Sequence, residues 1–169
     1  MSIIYLVKPK EVLQDPERHT CWAAALVSWL SVTPQSPASK FITSQEQALE
    51  CFADHVDEKG GLDNKKGFYS MTQLAGMNAE VFLKAETLKP DFLYSKLSNK
   101  GHLYIFFLNN NLAHASVIYG LSESSGSDDY TLGIMDPWQR GIVPMQPLST
   151  FLQAKQAVVA WFDHTSVRK

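Results

Sequence analysis

Cys21 opens the run "CWAAALVSWLS", where a polar stretch gives way to almost unbroken apolar sequence. A thiol at a helix start is suited to nucleophilic chemistry. The helix dipole and a nearby imidazolium favour the thiolate, which is the reactive form. Two further residues have the types this chemistry needs. His114, in "LAHASVIYG", falls near the start of an expected strand, and Asp136, in "LGIMDPWQRG", ends the next one. A histidine beside the thiol carries a proton to a leaving group, and a carboxylate orients the ring and fixes its tautomer. The strands at 113–119 and 130–135 are expected to pair as neighbours. That pairing puts His114 and Asp136 at one end of a sheet, and a helix packed on the sheet brings Cys21 there. The uncapped backbone N–H of Cys21 is one candidate donor to an oxyanion, and the upstream amide of Gln14 is the other.

The elements that position these residues are legible in outline. "IIYLV" (3–7) reads as a short strand. Residues 21–31 read as a buried helix with Thr20 as N-cap; Trp22, Leu26, Trp29 and Leu30 recur at helical spacing. A second helix is expected over 44–57, because Ser44 and Gln47 form a capping box. "SMTQLAGM" (70–77) suggests a short helix stopped near Gly76. Residues 87–101 suggest another, with Pro90 in the first turn and Gly101 past the end. Then come strands: "HLYIFFL", the turn "NNN", "AHASVIYGL", "YTLGIMD", "RGIVPM" and "AVVAWF". Helices followed by closely spaced strands predict an α+β domain with an antiparallel sheet, one domain over 1–169.

The sequence excludes several classes. The chain has 169 residues, 45% hydrophobic and 19% charged, with net charge -2. That composition supports a packed core and offers no basic block for nucleic acid or an anionic membrane. No signal peptide is recognisable, and no run approaches the ~20 apolar residues of a membrane span. No pair of Cys or His residues has zinc-ligand spacing, so no metal and no cofactor is expected. Cys51 reads as a mid-helix packing residue. Trp22, Trp29 and Trp161 read as core, and His19, His55, His102 and His164 as surface or turn residues. The double glycine of "EKGGL" (58–62) reads as a loop turn.

The order "Q-x6-C-W-A-A", "G-H-L-Y-I", "H-A-S-V-I-Y-G", "D-P-W-x-x-G", over roughly residues 10–145, resembles the papain fold in its compact bacterial form. It is similar to the peptidase domains that trim double-glycine leader peptides and to the papain-like cysteine proteases that bacteria inject as effectors. The resemblance implies a papain-like fold, with a catalytic helix packed on a C-terminal antiparallel sheet. It implies Cys21 as nucleophile, His114 as base and acid, Asp136 as orienting residue and Gln14 as oxyanion donor. Trp138 is similar to the tryptophan that shields the His–Asp pair in papain.

Two departures stand out. The family's glutamine usually lies six residues before the cysteine, and Gln14 lies seven before Cys21, with His19 as the fallback donor. Many relatives also have proline where "GHLYI" has His102. The activity implied is hydrolysis of a peptide bond through a thioester, in a cleft taking small residues such as glycine before the cut. The same trio also serves acyl transfer or deamidation, and a papain-fold module that binds peptide without turnover is the rival. The partners expected are a protein or peptide substrate and a separate inhibitor or immunity protein, around a monomeric enzyme. The chain starts close to the catalytic helix, with no room for an inhibitory pro-segment. The expectation is therefore an effector or interbacterial toxin, made in the cytoplasm and delivered to another cell.

Overall fold

The computed structural model describes residues 3–109, 112–126, 128–138 and 141–163. In chain order the elements are β1 (Ile3–Tyr5), α1 (Cys21–Ser31), α2 (Gln45–Cys51), α3 (Lys66–Ala75), β2 (Met77–Phe82), α4 (Pro90–Lys100), β3 (Leu103–Asn109), β4 (Leu112–Glu123), β5 (Tyr130–Asp136), β6 (Gly141–Pro147), α5 (Leu148–Phe151) and β7 (Gln156–Phe162). The strands form one seven-stranded antiparallel sheet in the order β2-β7-β3-β4-β5-β6, with β1 added alongside β4. The expected mixed helix and antiparallel-sheet architecture is what the chain adopts. Among the described residues no helix is long and apolar enough to cross a membrane.

α1 is apolar on every side, so it must be buried on every side. Leu26, Trp29 and the three alanines 23–25 are fully enclosed. The alanines let the sheet approach closely, and Tyr104, Phe106, Val117 and Met135 from three strands complete this core. The opposite face is covered by α4: Leu93 and Leu97 pack with Ile105, Ile118, Ile134 and Val159. A layer on each face removes the whole apolar surface of the central strands from water. Trp22, Trp29 and Trp161 are core residues, as read from the sequence.

Several local expectations need correction. Thr20 occupies the N-cap position of α1, yet its side chain makes no capping bond. Its φ of -103° and ψ of 18° are not the extended capping geometry, and its Oγ1 is buried without a partner. The helix expected over 44–57 keeps its Ser44–Gln47 capping box but ends at Cys51. Phe52 turns inward against Trp22, ring centroids 5.8 Å apart, and a 3-10 turn follows over Ala53–His55. Cys51 is consequently exposed rather than packed. α3 starts earlier than expected because Asp63 Oδ1 accepts the backbone N–H groups of Lys65, Lys66 and Gly67 at 2.9, 2.7 and 3.3 Å. It stops where expected, at Gly76, whose φ of 69° suits glycine. β2 has no sequence signal: "MNAEVF" lacks clear alternation and forms by pairing along the edge of β7. Asn110, Asn111 and His164, read as turn or surface residues, lie outside the described residues.

A strap of irregular chain, residues 6–14, runs from β1 to the candidate site. It begins at Tyr5, whose ring lies across Gly120 of β4 and Gly133 of β5. A Cβ at Gly120 would collide with that ring, and one at Gly133 would meet the rings of both Tyr5 and Tyr119. The Tyr5 hydroxyl donates to the Pro144 carbonyl of β6 at 3.2 Å. Further on, His102 Nε2 meets the Val7 carbonyl at 2.6 Å and Ser28 Oγ donates to the Lys10 carbonyl at 2.6 Å. The strap is thus tied to both the sheet and α1 before it delivers Gln14.

Candidate active site

The N-terminus of α1 meets the end of the sheet where β4 begins and β5 finishes. Pairing of Val117 with Met135 sets the register there, so Asp136 lies near the level of His114 on the adjoining strand. His114 Nε2–H donates to Asp136 Oδ1 at 2.7 Å. The same oxygen accepts the Trp138 backbone N–H at 2.9 Å, which fixes the carboxylate from a second direction. With Nε2 engaged, His114 keeps Nδ1 for a second partner. Cys21 is near enough to the ring to raise its affinity for a proton. The Cys21 thiol also lies 3.8 Å from the Ala113 carbonyl, one residue before His114. Cys21 itself is 8% exposed.

Electrostatics favour a charged imidazole. Burial alone lowers the affinity of His114 for its proton. The hydrogen bond to Asp136 comes first among the opposing influences, followed by the interaction with Cys21; together they outweigh burial and raise the pKa to about 9. At neutral pH the ring beside Cys21 is therefore a cation, the neighbour that favours a thiolate. Cys51 has the opposite surroundings: partial burial and then the charge of Glu50 push its thiol up. The two cysteines are chemically distinct for these reasons.

Gln14 reaches the same place. Its backbone N–H donates to the Pro137 carbonyl at 3.0 Å, tying the strap to the turn after Asp136. Its side-chain Nε2–H donates to the Arg18 carbonyl at 3.1 Å, and Oε1 is buried without a partner. The extra residue before Cys21 is taken up in a turn over Asp15–Arg18. There Arg18 N–H donates to the Asp15 carbonyl at 3.1 Å and Glu17 N–H to Asp15 Oδ1 at 2.9 Å. Cys21 is the first residue of α1, so its backbone N–H has no carbonyl partner within the helix.

These residues line a cleft of about 520 Å³. One wall carries Cys21, Trp22 and the segment Gly61–Leu62; the other carries Ala113, His114 and Trp138, with Gln14 and His19 at the side. Trp138 is 46% exposed, so its ring stands at the rim of the cleft. The loop before α3 is held against the N-terminal end of α1 by two bonds: Trp22 Nε1–H donates to the Gly60 carbonyl at 2.7 Å, and His19 N–H to the Lys59 carbonyl at 2.8 Å. Gly61 of the double glycine is therefore part of the cleft wall, and Asp57 joins it there. Neither role was legible beforehand; the one signal was a Gly-Gly turn flanked by charged residues. Among the described residues no cluster of His, Cys, Asp or Glu has the makings of a metal site.

Of the four residues singled out from the sequence, Cys21, His114 and Gln14 line one cleft, and Asp136 stands behind it, bonded to His114. Comparison with known structures agrees with the fold. UfSP from C. elegans superposes with a TM-score of 0.64 at 13% identity, covering 95% of this chain and 34% of that one. A chain from work on the mite allergens Blo t 1 and Der p 1 superposes with a TM-score of 0.52 at 11% identity, covering 90% of this chain and 66% of that one. The chain spans about a third of the length of the first of these structures. A comparison with curated proteins finds no match. At the level of sequence families, residues 5–156 match the family described as papain-like cysteine protease AvrRpt2. With nearly its whole described length inside that match, the chain belongs to the papain-like cysteine protease AvrRpt2 family.

Proposed function

We propose that this protein is a cysteine peptidase in which Cys21 is the nucleophile, His114 the general acid and base, Asp136 the orienting residue and Gln14 an oxyanion donor. The observation that carries the reading is the hydrogen-bonded pair His114–Asp136 with Cys21 beside the same ring in an open cleft. The thiolate of Cys21 attacks the scissile carbonyl. The oxyanion so formed is met by the Cys21 backbone N–H and the second N–H of the Gln14 amide. His114 gives its proton to the leaving amine, and the acyl group remains on sulfur as a thioester. His114 then takes a proton from water, which attacks the thioester and frees the second product. Asp136 holds the ring through Nε2 throughout, so Nδ1 stays directed at the sulfur.

Narrower readings extend this proposal. Trp22, Phe106 and Trp138 contribute bulky walls to the cleft, which suits an extended segment with small residues such as glycine at the bond to be cut. One monomeric domain acting as an effector or toxin, with a separate inhibitor covering the cleft, is the biological setting that the family resemblance suggests. The test is a map of new N-termini in a mixture of cellular proteins. Wild-type protein should generate a defined set that Cys21→Ala does not. An identical set with both proteins, or none with wild type, overturns the peptidase reading.

A further inference from the structure

The cleft contains a carboxylate that the chain itself leaves unneutralised. Residues 57–61 form a tight loop: Asp57 N–H donates to the Gly61 carbonyl at 2.9 Å and Gly60 N–H to the Asp57 carbonyl at 3.0 Å. Asp57 Oδ1 accepts the backbone N–H groups of Lys59 and Gly61 at 2.9 and 2.8 Å. The loop is fixed in turn to the residues flanking Cys21, through the bonds from His19 and Trp22. The position of the carboxylate is therefore set by backbone that also sets the nucleophile. Oδ1 serves the loop, whereas Oδ2 has no hydrogen-bond partner among the described residues. No Lys, Arg or His among them pairs with Asp57; Arg18, beside the same loop, pairs with Glu46 at 3.8 Å. Asp57 is the one carboxylate among the described residues lining the cleft, and Leu62 and Phe106 add apolar surface to the same cleft.

A preorganised, unpaired carboxylate in a substrate cleft is a binding group for a cation, because it has already met the cost of being held in place. Resting on the peptidase reading, we propose that Asp57 determines specificity by selecting a substrate with a positive charge close to the bond presented to Cys21. The cation is an ammonium or guanidinium group, from a Lys or Arg side chain or from a free N-terminus.

Asp57→Asn separates this role from loop architecture, because asparagine keeps an Oδ1 acceptor for both amides. The first readout needs no substrate. In a Cys51→Ser background, Cys21 is modified with a trimethylammonium-bearing, a sulfonate-bearing and an uncharged methanethiosulfonate. The cation-to-anion rate ratio should fall about 5-fold in Asp57→Asn, the scale of one exposed ion pair, with the uncharged reagent unaffected. The second readout is cleavage of a proteome-derived peptide mixture. Sites near a positive charge should dominate with wild type and lose that enrichment with Asp57→Asn. Acetylating lysines alone, or N-termini alone, identifies which cation is read. An unchanged reagent ratio, or cleavage without charge preference, overturns this inference and leaves the peptidase reading intact. A changed ratio without any cleavage overturns the peptidase reading instead.

Discussion

His114 Nε2 and Asp136 Oδ1 lie 2.7 Å apart on neighbouring antiparallel strands, and the ring's other nitrogen is left for Cys21. Two residues 22 positions apart in sequence are thus joined by sheet register alone. The pair holds a proton on the ring up to about pH 9 despite its burial, because the hydrogen bond to Asp136 and the interaction with Cys21 outweigh desolvation.

That balance predicts the alkaline limit of activity. In the wild type kcat/KM should fall as pH rises through about 9, where His114 loses the proton it must give to the leaving amine. In Asp136→Asn the charge that holds the proton is gone, and the alkaline limb should move toward the ordinary histidine value of about 6.5. A pH–rate profile of both proteins checks this. An unmoved limb would remove Asp136 from the catalytic series.

The same shift links to stability. The folded-state pKa of His114 is raised to about 9, above an unfolded value of about 6.5. Its stabilising contribution is therefore fully present below about pH 6.5 and lost as pH rises through about 9. Urea unfolding of wild type and His114→Gln should show a gap that is widest near pH 6 and shrinks by pH 10. A gap that widens with pH would contradict the charged-ring description.

Gln14 should act on the transition state. Gln14→Ala is expected to lower kcat by about 10²–10³, the usual cost of losing one oxyanion donor, with KM little changed. Full turnover in that variant beside a crippled His19→Ala would transfer the role to the histidine, which also borders the cleft.

The strap that delivers Gln14 depends on the seat of Tyr5. Gly120→Ala would drive a methyl group into the Tyr5 ring at a position between packed strands. Overpacking of this kind costs about 1–3 kcal/mol. A lowered unfolding midpoint in denaturant is the expected result, and Tyr5→Ala in the same background should recover part of it by vacating the space.

Much of this molecule was readable because its signals are local. The apolar run from Cys21 to Leu30, the Ser44–Gln47 box and Gly76 each specify an element through nearby residues alone. The catalytic candidates were legible because strand order and register follow from closely spaced hairpins. What escaped reading depends on distant partners. β2 exists because β7 pairs with it, and α2 ends early because Phe52 packs on Trp22. Thr20 forgoes capping in a conformation that packs its methyl toward Gly60, forty positions away. Asp57 gained its place in the cleft through the same contact between the loop and the start of α1. No pattern within either segment announces the other.

The measurement that tests the central claim most directly is the rate of iodoacetamide alkylation at each cysteine, read by peptide mass at pH 6. The imidazolium beside Cys21, and the unfavourable surroundings of Cys51, predict modification at Cys21 at least about 10-fold faster than at Cys51. His114→Ala should slow Cys21 to the rate of an ordinary thiol and leave Cys51 unchanged. Faster labelling of Cys51, or a Cys21 rate indifferent to the loss of His114, would contradict the account.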